Sequence, residues 1–244
     1  MSDYYNSIVE QYRRSKELPF RLVEKYMYFT WVGDVTGKSI LDLACGDGFY
    51  TRQFKQKGAK HVVGVDIAAK MIESAKLQET QQSSDIEYIV GDAAELGKIG
   101  DFDLVVASYL LNCAQTQEQL QKICRTICAN LKPDGRFVTL NDNVQQPPET
   151  YLICERYGFT KSISQPLQEG TPILISILID GQSVSFTNYH FSKTTYELAL
   201  QAAGFKTVKW HQPILPAETV ERYGQEFWQD FIEYAPAIVI ECMG

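Results

Sequence analysis

Five short apolar segments alternate with amphipathic segments between residues 38 and 143, and this alternation constrains the fold more than any other feature. The short segments cover residues 39–44, 61–66, 86–92, 102–108 and 136–142. Their Val, Ile and Leu content predicts strands that are buried on both faces, as in parallel sheets built from βα units. The right-handed crossover rule then predicts an open, doubly wound α/β sheet, which binds ligands beyond the carboxyl ends of its strands.

The chain after residue 143 has a different pattern. Residues 172–191 predict two extended segments that meet at a type I′ turn formed by Asp180 and Gly181. We expect residues 144–190 to be an insertion that covers the ligand-binding edge of the sheet, because their prolines suit irregular connections.

The remaining segments complete the predicted sheet. A helix begins after Ser192, an N-cap residue, and ends before Gly204. Residues 206–213 and 236–243 predict two final strands, and residues 218–234 predict one helix between them. The segment LKPDG, at residues 131–135, predicts a turn before the fifth strand.

Composition and charge exclude several classes of protein. The 244 residues carry a net charge of −7, whereas nucleic-acid-binding proteins present a basic face or stripe. No apolar run approaches the roughly 20 residues that cross a bilayer, and the polar N-terminus has no signal-peptide core. The six cysteines lack the spacing of a metal site and are expected to be reduced. We predict a cytoplasmic protein without a metal, nucleic-acid or membrane partner.

A glycine loop follows the first predicted strand directly, in the segment Asp42-Leu43-Ala44-Cys45-Gly46-Asp47-Gly48. Glycines let a backbone approach a ligand closely and accept positive φ. The helix that follows directs its N-terminal amides and the positive end of its dipole at the same place. Alone, such a loop is typical of several kinds of nucleotide-binding site.

Polar residues also end the next three strands. Asp66 ends the second, where a carboxylate can accept hydrogen bonds from both hydroxyls of a ribose. Asp92 ends the third, where an acid can accept from the exocyclic amine of adenine, and Ser108 and Tyr109 follow the fourth. Each acid alone could be a helix cap or a turn residue. Their coincidence on successive strands favours a nucleotide-containing cofactor.

Two other nucleotide sites fit the loop less well. A dinucleotide fingerprint requires G-x-G-x-x-G, and Thr51 stands where its third glycine belongs. A dehydrogenase also has no need of Asp42 before the turn or of an acid at Asp92. A P-loop requires Gly-Lys-Ser/Thr after the glycines, which this sequence lacks.

Five segments in order carry a family resemblance: ILDLACGDGFYT, VVGVDIAAKMI, YIVGDAAEL, FDLVVASYLL and LKPDGRFV. They resemble the successive motifs of class I S-adenosylmethionine (SAM)-dependent methyltransferases over residues 38–142. The resemblance implies a Rossmann-like, seven-stranded, mostly parallel sheet with an antiparallel last strand. It also implies SAM as cofactor and S-adenosylhomocysteine (SAH) as product.

The resemblance assigns roles to the residues that match the motifs. The glycine loop would line the methionine side of SAM, with Ala44 in place of the glycine of many members. Asp66 would hold the ribose, and adenine would lie between the residues that follow Asp66 and those at Asp92. Related enzymes often fold an N-terminal helix over the cofactor as a lid, which singles out Tyr12. The residues expected at the cofactor are Tyr12, Asp42, Ala44, Gly46, Gly48, Asp66, Ile67, Met71, Asp92, Ala93, Ser108 and Tyr109.

We expect a single methyltransferase domain, and its C-terminal segment suggests a branch. The parts would be a helical lid (1–37), a SAM-binding core (38–143), a substrate-covering insertion (144–190) and the C-terminal part of the sheet (191–244). The last part is similar to small-molecule methyltransferases of specialised metabolism, such as the toxoflavin and teleocidin methyltransferases.

The acceptor site is less well defined by the sequence. Aromatic residues are frequent in the segments predicted to cover it, and such rings can stack on a planar acceptor. A side-chain base is needed only where the acceptor must lose a proton. His190, with the neighbouring Tyr189, is the preferred candidate because it lies where the insertion rejoins the sheet, and His211 is the alternative.

The first hypothesis is methylation of a small, aromatic or heterocyclic metabolite at nitrogen, carbon or oxygen by in-line displacement. The alternatives are another SAM-using reaction on the same site and a non-catalytic SAM-binding subunit. A macromolecular acceptor is disfavoured by the acidic charge. It is also disfavoured by Ser108-Tyr109-Leu110-Leu111, which replaces the Asn-Pro-Pro-Tyr of many amide-nitrogen and nucleobase methylases.

Overall fold

The computed structural model describes Ser15 and residues 18–80, 85–179 and 182–244. The strands in these ranges are β1 (Ser39–Leu43), β2 (His61–Asp66), β3 (Glu87–Val90), β4 (Phe102–Ser108), β5 (Leu131–Asp142), β6 (Phe159–Ser162), β7 (Thr171–Ile179), β8 (Gln182–His190), β9 (Thr207–His211) and β10 (Ala237–Met243).

The α-helices are α1 (Pro19–Val32), α2 (Phe49–Gln56), α3 (Ala69–Thr80), α4 (Gln117–Ala129), α5 (Lys193–Ala203), α6 (Ala217–Tyr223) and α7 (Gln229–Tyr234). Short 3₁₀ helices cover Leu111–Cys113, Pro148–Tyr157 and Glu226–Trp228. In the described part of the chain, no helix has the length and apolar content that a bilayer span requires.

Seven strands form the main sheet in the order β3-β2-β1-β4-β5-β10-β9. The pairs among β1 to β5 are parallel, and β10 is antiparallel to both β5 and β9. The doubly wound, mostly parallel sheet with an antiparallel last strand is therefore confirmed. Because the strand order reverses at β1 and β4, the loops after these two strands diverge to opposite faces and leave a crevice between them.

The two faces of the sheet are covered by different helices. Along β1, Ile40 packs with α1 and α2 on one face, whereas Leu41 packs with α4 and α5 on the other. This alternation is the two-residue period of a strand. Each fully buried side chain of this size contributes about 2 kcal/mol through the hydrophobic effect. The sheet is thereby fixed from both sides, which fixes the ends of its strands.

A second, three-stranded antiparallel sheet is formed by β6, β7 and β8, with β7 in the centre. The hairpin predicted over residues 172–191 is present, and Ile179 pairs with Gln182 across its connection. The predicted type I′ turn at Asp180 and Gly181 lies outside the described residues. The strand β6 and the 3₁₀ helix before it were not predicted, because short segments with few apolar residues lack a clear period.

Two predicted boundaries were wrong. Residues 131–135 belong to β5, since Leu131 pairs with Phe102 and Arg136 with Leu104, so the residues between them form a bulge rather than a separate turn. The single helix predicted over residues 218–234 is broken after α6. Gly224 has φ +83°, a conformation that ends a helix, and the chain continues in the last 3₁₀ helix and α7.

The C-terminal end of α1 is anchored to the main sheet. The guanidinium of Arg136 donates to the carbonyl oxygens of Trp31 (3.0 Å) and Val32, and it forms an ion pair with Glu241 at 2.9 Å. The indole of Trp31 stacks on the imidazole of His211 with ring centres 3.5 Å apart. A cation that donates hydrogen bonds to the last carbonyl oxygens of a helix stabilises its C-terminal end. These contacts therefore hold the end of α1 against the sheet.

Candidate functional site

A cavity lies beyond the carboxyl ends of β1 to β5, and α1 and the small sheet form its other walls. The structure brings nine of the predicted cofactor residues together in its lining. They are Ala44, Gly46, Asp66, Ile67, Met71, Asp92, Ala93, Ser108 and Tyr109.

Five predicted site residues are not placed there. Tyr12 lies outside the described residues. Asp42, Gly48, Tyr189 and His190 are described but are not among the residues that line the cavity. The contacts of each of these four residues show where it lies instead.

The carboxylate of Asp66 holds the glycine loop in place. Its Oδ2 accepts from the backbone N–H of Gly46 and its Oδ1 accepts from that of Ala68, each at 2.8 Å. Burial raises the pKa of this carboxyl, against the two backbone hydrogen bonds that lower it. Each carboxylate oxygen has two lone pairs, so each keeps the capacity to accept one further hydrogen bond. Two free acceptor positions side by side fit the two hydroxyls of a ribose.

The backbone turns sharply where it borders the cavity. Ala44 and Gly46 both have φ +57°, and Tyr109 has φ +61°. A non-glycine residue in this region costs about 1 kcal/mol or more and persists only where its surroundings enforce it. Asp66 enforces the first turn through Gly46, and the backbone N–H of Tyr109 donates to the Leu140 carbonyl at 2.8 Å.

Asp42 lies behind the glycine loop instead of on the cavity. It is 2% exposed, and its Oδ2 accepts from the hydroxyl of Thr51 at 2.6 Å. This hydrogen bond joins the end of β1 to the first turn of α2. Asp42 therefore supports the loop from beneath, and its predicted position at the methionine side of a cofactor stays a prediction.

Gly48 also acts on the loop from outside the cavity. It is the N-cap of α2 with φ +77°, and a Cβ there would lie 2.4 Å from the Tyr88 hydroxyl and 2.7 Å from Nη1 of Arg52. A side chain at this position would require the side chains of Tyr88 and Arg52 to move. Gly48 is not among the lining residues, and its predicted contact with the cofactor stays a prediction.

His190 and Tyr189 are at the end of β8, away from the cavity lining. Phe186 and Asn188 line the cavity, so the alternation of the strand turns Tyr189 to the opposite face, where it packs on the second core cluster. His190 shares the face of Asn188, but it is the last residue of β8, where it pairs with Thr171, and it is not among the lining residues. Burial lowers the pKa of its imidazole, while Glu169 acts in the opposite direction.

Two clusters of polar side chains at the cavity were not predicted from the sequence. The first is centred on Glu24 of α1. Glu24 is 1% exposed, and its Oε2 accepts from Nη1 of Arg21 at 2.8 Å. Its Oε1 accepts from the phenol of Tyr109. Burial raises the pKa of Glu24 despite the nearby guanidinium, and burial also raises that of Tyr109. The only sequence signal was an acid three positions after a base in an apolar helix.

The second cluster links the end of β5 to the small sheet. Oδ1 of Asp142 lies 3.2 Å from Nζ of Lys161, and Oδ2 accepts from the side-chain amide of Asn188. Asp142 and Asn188 line the cavity, whereas Lys161 contacts Asp142 from outside it. Asp142 could have been noticed from the sequence, because it ends the fifth predicted strand at the ligand-binding edge.

Apolar side chains form the rest of the cavity where α1 faces the small sheet. This part, called the acceptor end below, is lined by Phe20, Phe159, Ile175, Ile177, Phe186 and Pro236. Phe20 and Phe159 are in direct contact, with ring centres 4.6 Å apart. The cavity thus joins a polar half at the strand ends to a mostly apolar half between α1 and the small sheet.

The methyltransferase domain family model matches residues 40–135, the range that holds the glycine loop and the acids at the strand ends. These residues therefore form a methyltransferase domain of the SAM-dependent kind. The cofactor of this methyltransferase is therefore SAM, and the free acceptor positions of Asp66 agree with that cofactor.

Relatives of the methyltransferase differ in what they act on. N-demethylindolmycin N-methyltransferase of Streptomyces griseus is 28% identical over 73% of this chain and 74% of its own length. Ribosomal protein L11 methyltransferase of Burkholderia lata is 31% identical, over 50% of this chain and 37% of that protein. A solved SAM-dependent methyltransferase from Mesorhizobium loti shares the fold, with a TM-score of 0.66, 20% identity and coverage of 94% of this chain and 100% of that one.

Proposed function

We propose that this methyltransferase methylates a small molecule with an aromatic or heterocyclic body at a nitrogen, carbon or oxygen atom. The observation that carries the proposal is the acceptor end, where aromatic and aliphatic side chains of α1 and the small sheet form walls on the same cavity as Asp66 and Asp92. Such walls suit an apolar ligand of limited size. The likeness to N-demethylindolmycin N-methyltransferase over most of both chains supports it.

The polar half of the cavity would hold the cofactor. In this proposal, Asp66 accepts from both ribose hydroxyls with the oxygen lone pairs that Gly46 and Ala68 leave available. When bound, SAM would supply an electrophilic methyl group on sulfur. The acceptor atom would bond to that carbon in line as the carbon–sulfur bond breaks and SAH leaves. The turn at Ala44 and Gly46 brings backbone against the methionine part, with Ser108 and Tyr109 opposite it.

The adenine would lie between β2 and β3. Ile67 and Met71 offer an apolar surface for one face of the ring, and Asp92 and Ala93 border its edge. Oδ1 of Asp92 accepts from the Ala94 N–H at 2.8 Å, which fixes the carboxylate and leaves Oδ2 for the adenine amine. Tyr12 keeps its predicted role on a lid as part of this proposal.

The acceptor would lie between α1 and the small sheet. The catalytic role predicted for His190 and Tyr189 receives no support from the lining of the cavity. Glu24, paired with Arg21, and Tyr109 and Asp142 are ionisable groups at the acceptor end. We propose that they orient the acceptor and exclude water from it, and that orientation supplies much of the rate enhancement.

A protein acceptor is the second candidate, because ribosomal protein L11 methyltransferases also match this chain. That likeness extends over half of the chain and little more than a third of the relative. The walls of the acceptor end favour the small molecule. A place in specialised metabolism and a cytoplasmic location belong to the same proposal.

Label transfer from SAM tests the proposal. The full chain is incubated with methyl-labelled SAM and, in separate reactions, with a panel of aromatic and heterocyclic amines and phenols that includes N-demethylindolmycin, and with ribosomal protein L11. We expect label in at least one small molecule and none in L11. Label in L11 alone would overturn the acceptor class. SAH binding without transfer to any acceptor would support a non-catalytic SAM-binding subunit.

A further inference from the structure

Acidic side chains outnumber basic ones in the lining of the cavity. Among the described residues, its lining carries one cationic side chain, Arg21, and four carboxylates, of which Glu24 and Asp142 are at the acceptor end. Arg21 is paired with Glu24 at 2.8 Å, and its guanidinium lies 4.6 Å from the centre of the Phe20 ring. A guanidinium held between a carboxylate and an aromatic face is already stabilised on both sides.

The ammonium of Lys161 is committed to partners within the protein. An ammonium donates three hydrogen bonds. Nζ of Lys161 lies 3.2 Å from Oδ1 of Asp142, 3.1 Å from Oε1 of Gln146 and 2.8 Å from the carbonyl oxygen of Pro236. Two of these contacts are hydrogen bonds and the third is the ion pair with Asp142, so Lys161 holds Asp142 in position from outside the cavity lining.

The orientation of the Asn188 amide follows from Asp142. A carboxylate only accepts hydrogen bonds, so the amide must turn its NH₂ group to Oδ2 of Asp142. The amide oxygen of Asn188 then has no hydrogen-bond partner among the described residues, although the side chain is 2% exposed and lines the cavity. A buried acceptor without a partner destabilises the protein, and a ligand N–H would relieve this.

We infer that the acceptor end selects a ligand with an aromatic body and an amine or other N–H donor, recognised by Glu24, Asp142 and Asn188, and that it rejects carboxylates. A ligand carboxylate here would meet the carboxylates of Glu24, which is buried, and Asp142, which is partly buried, and like charges at close range in a water-poor site repel strongly. An ammonium or a neutral N–H meets free lone pairs instead. The inference specifies the acceptor class of the proposed methyl transfer. It rests on that proposal in one respect, the assignment of this end of the cavity as the acceptor site.

Two probes that share one ring system and differ in charge test this selection. Tryptamine carries an ammonium on an indole, and indole-3-acetate carries a carboxylate on the same indole. Each is titrated calorimetrically into the full chain saturated with SAH. We expect tryptamine to bind at least 10-fold more tightly than indole-3-acetate. Equal affinities, tighter binding of indole-3-acetate, or undetectable binding of tryptamine would overturn the inference.

Variants show whether the named residues cause the preference. Glu24→Gln removes one charge with little change of shape, and Asn188→Leu removes the amide oxygen. Each should reduce the preference for tryptamine at least 5-fold while SAH affinity stays within 2-fold. Glu197→Gln is the matched control, since Glu197 accepts from the indole N–H of Trp210 on α5 and should leave the preference unchanged. A preference that survives both cavity variants would remove these residues from the recognition.

The experiments distinguish a failure of the proposed methyl transfer from a failure of this inference. Label transfer measures the reaction, whereas the two titrations measure selection by charge. Amine-selective binding without any labelled product would refute the reaction and keep the inference. Labelled product on a carboxylate-bearing acceptor, with no preference for tryptamine, would support the methyl transfer and refute the inference.

Discussion

The hydroxyl of Thr51 donates a 2.6 Å hydrogen bond to the carboxylate of Asp42, and this contact joins the end of β1 to the first turn of α2 beneath the glycine loop. Both side chains are almost fully buried. A dinucleotide-binding loop has glycine at the position of Thr51, so the contact gives a physical reason for the threonine. The glycine loop is therefore stabilised from below as well as by Asp66 from the cavity side.

Replacement of Thr51 by valine should destabilise the protein and weaken cofactor binding. The change keeps the shape but leaves Asp42 buried without the hydroxyl, which costs about 1–3 kcal/mol. Urea unfolding measures the loss of stability, and calorimetric titration with SAH measures binding. Thr51→Ser, which keeps the hydroxyl, should stay within about 1 kcal/mol of the wild type. A loss of stability for serine but not for valine would show that the methyl group, not the hydrogen bond, matters.

Gly48→Ala should destabilise the protein more than the same change at Gly37. The two glycines have similar backbone angles, φ +77° and +74°, so the conformational cost of about 1–2 kcal/mol is shared. A Cβ at Gly48 meets Tyr88 and Arg52, whereas nothing lies within 4 Å at Gly37. We expect a further 1–3 kcal/mol at Gly48, as is typical of overpacking, and at least a 10-fold loss of SAH affinity. Indistinguishable unfolding curves for the two variants would contradict this account.

Asp66→Ala should abolish most of the SAH affinity. The variant loses two charge-assisted hydrogen bonds to the ribose, each worth about 1.5–3 kcal/mol, and it also frees the N–H of Gly46. The expected loss is about 100-fold or more by calorimetry. Asp101→Ala is the control, because Asp101 is an exposed partner of Lys98. Wild-type affinity in Asp66→Ala would refute the ribose assignment.

Glu24 should make the free energy of unfolding depend on pH. Its pKa is raised by burial in the folded state, so the folded protein binds the proton more tightly than the unfolded chain. This contribution is fully present below the unfolded pKa and is lost as pH rises through the folded pKa. In that window the wild type should lose up to about 1.4 kcal/mol per pH unit relative to Glu24→Gln. Urea unfolding at a series of pH values measures the difference, and parallel curves would disprove it.

The polar half of the cavity could be predicted because its determinants are local in the sequence. A strand, a turn and a helix follow one another around Gly46, and Asp66 and Asp92 each end a strand. Parallel strands bring their carboxyl ends to one edge, so order along the chain becomes proximity in space. The support that Asp42 and Gly48 give to the loop was not predicted, because one short segment supplies both the surface of the loop and the residues behind it.

The acceptor end could not be predicted, since its polar contacts join distant segments. Tyr109 donates to Glu24 across 85 residues, and Asn188 donates to Asp142 across 46. No periodicity or short motif reports such a pair, because tertiary packing alone brings the segments together. The histidine in this region drew the prediction to His190, while the neighbouring Asn188 faces the cavity.

The two halves of the cavity come from separate parts of the chain, and this division has an evolutionary consequence. The strand-end loops border one half, while α1 and the small sheet line most of the other. A substitution at Phe159, Ile175 or Phe186 changes the shape offered to an acceptor without touching the hydrogen bonds that hold Gly46. New acceptor preferences can therefore arise by drift in residues 159–190, while selection for cofactor binding acts on residues that these changes leave intact.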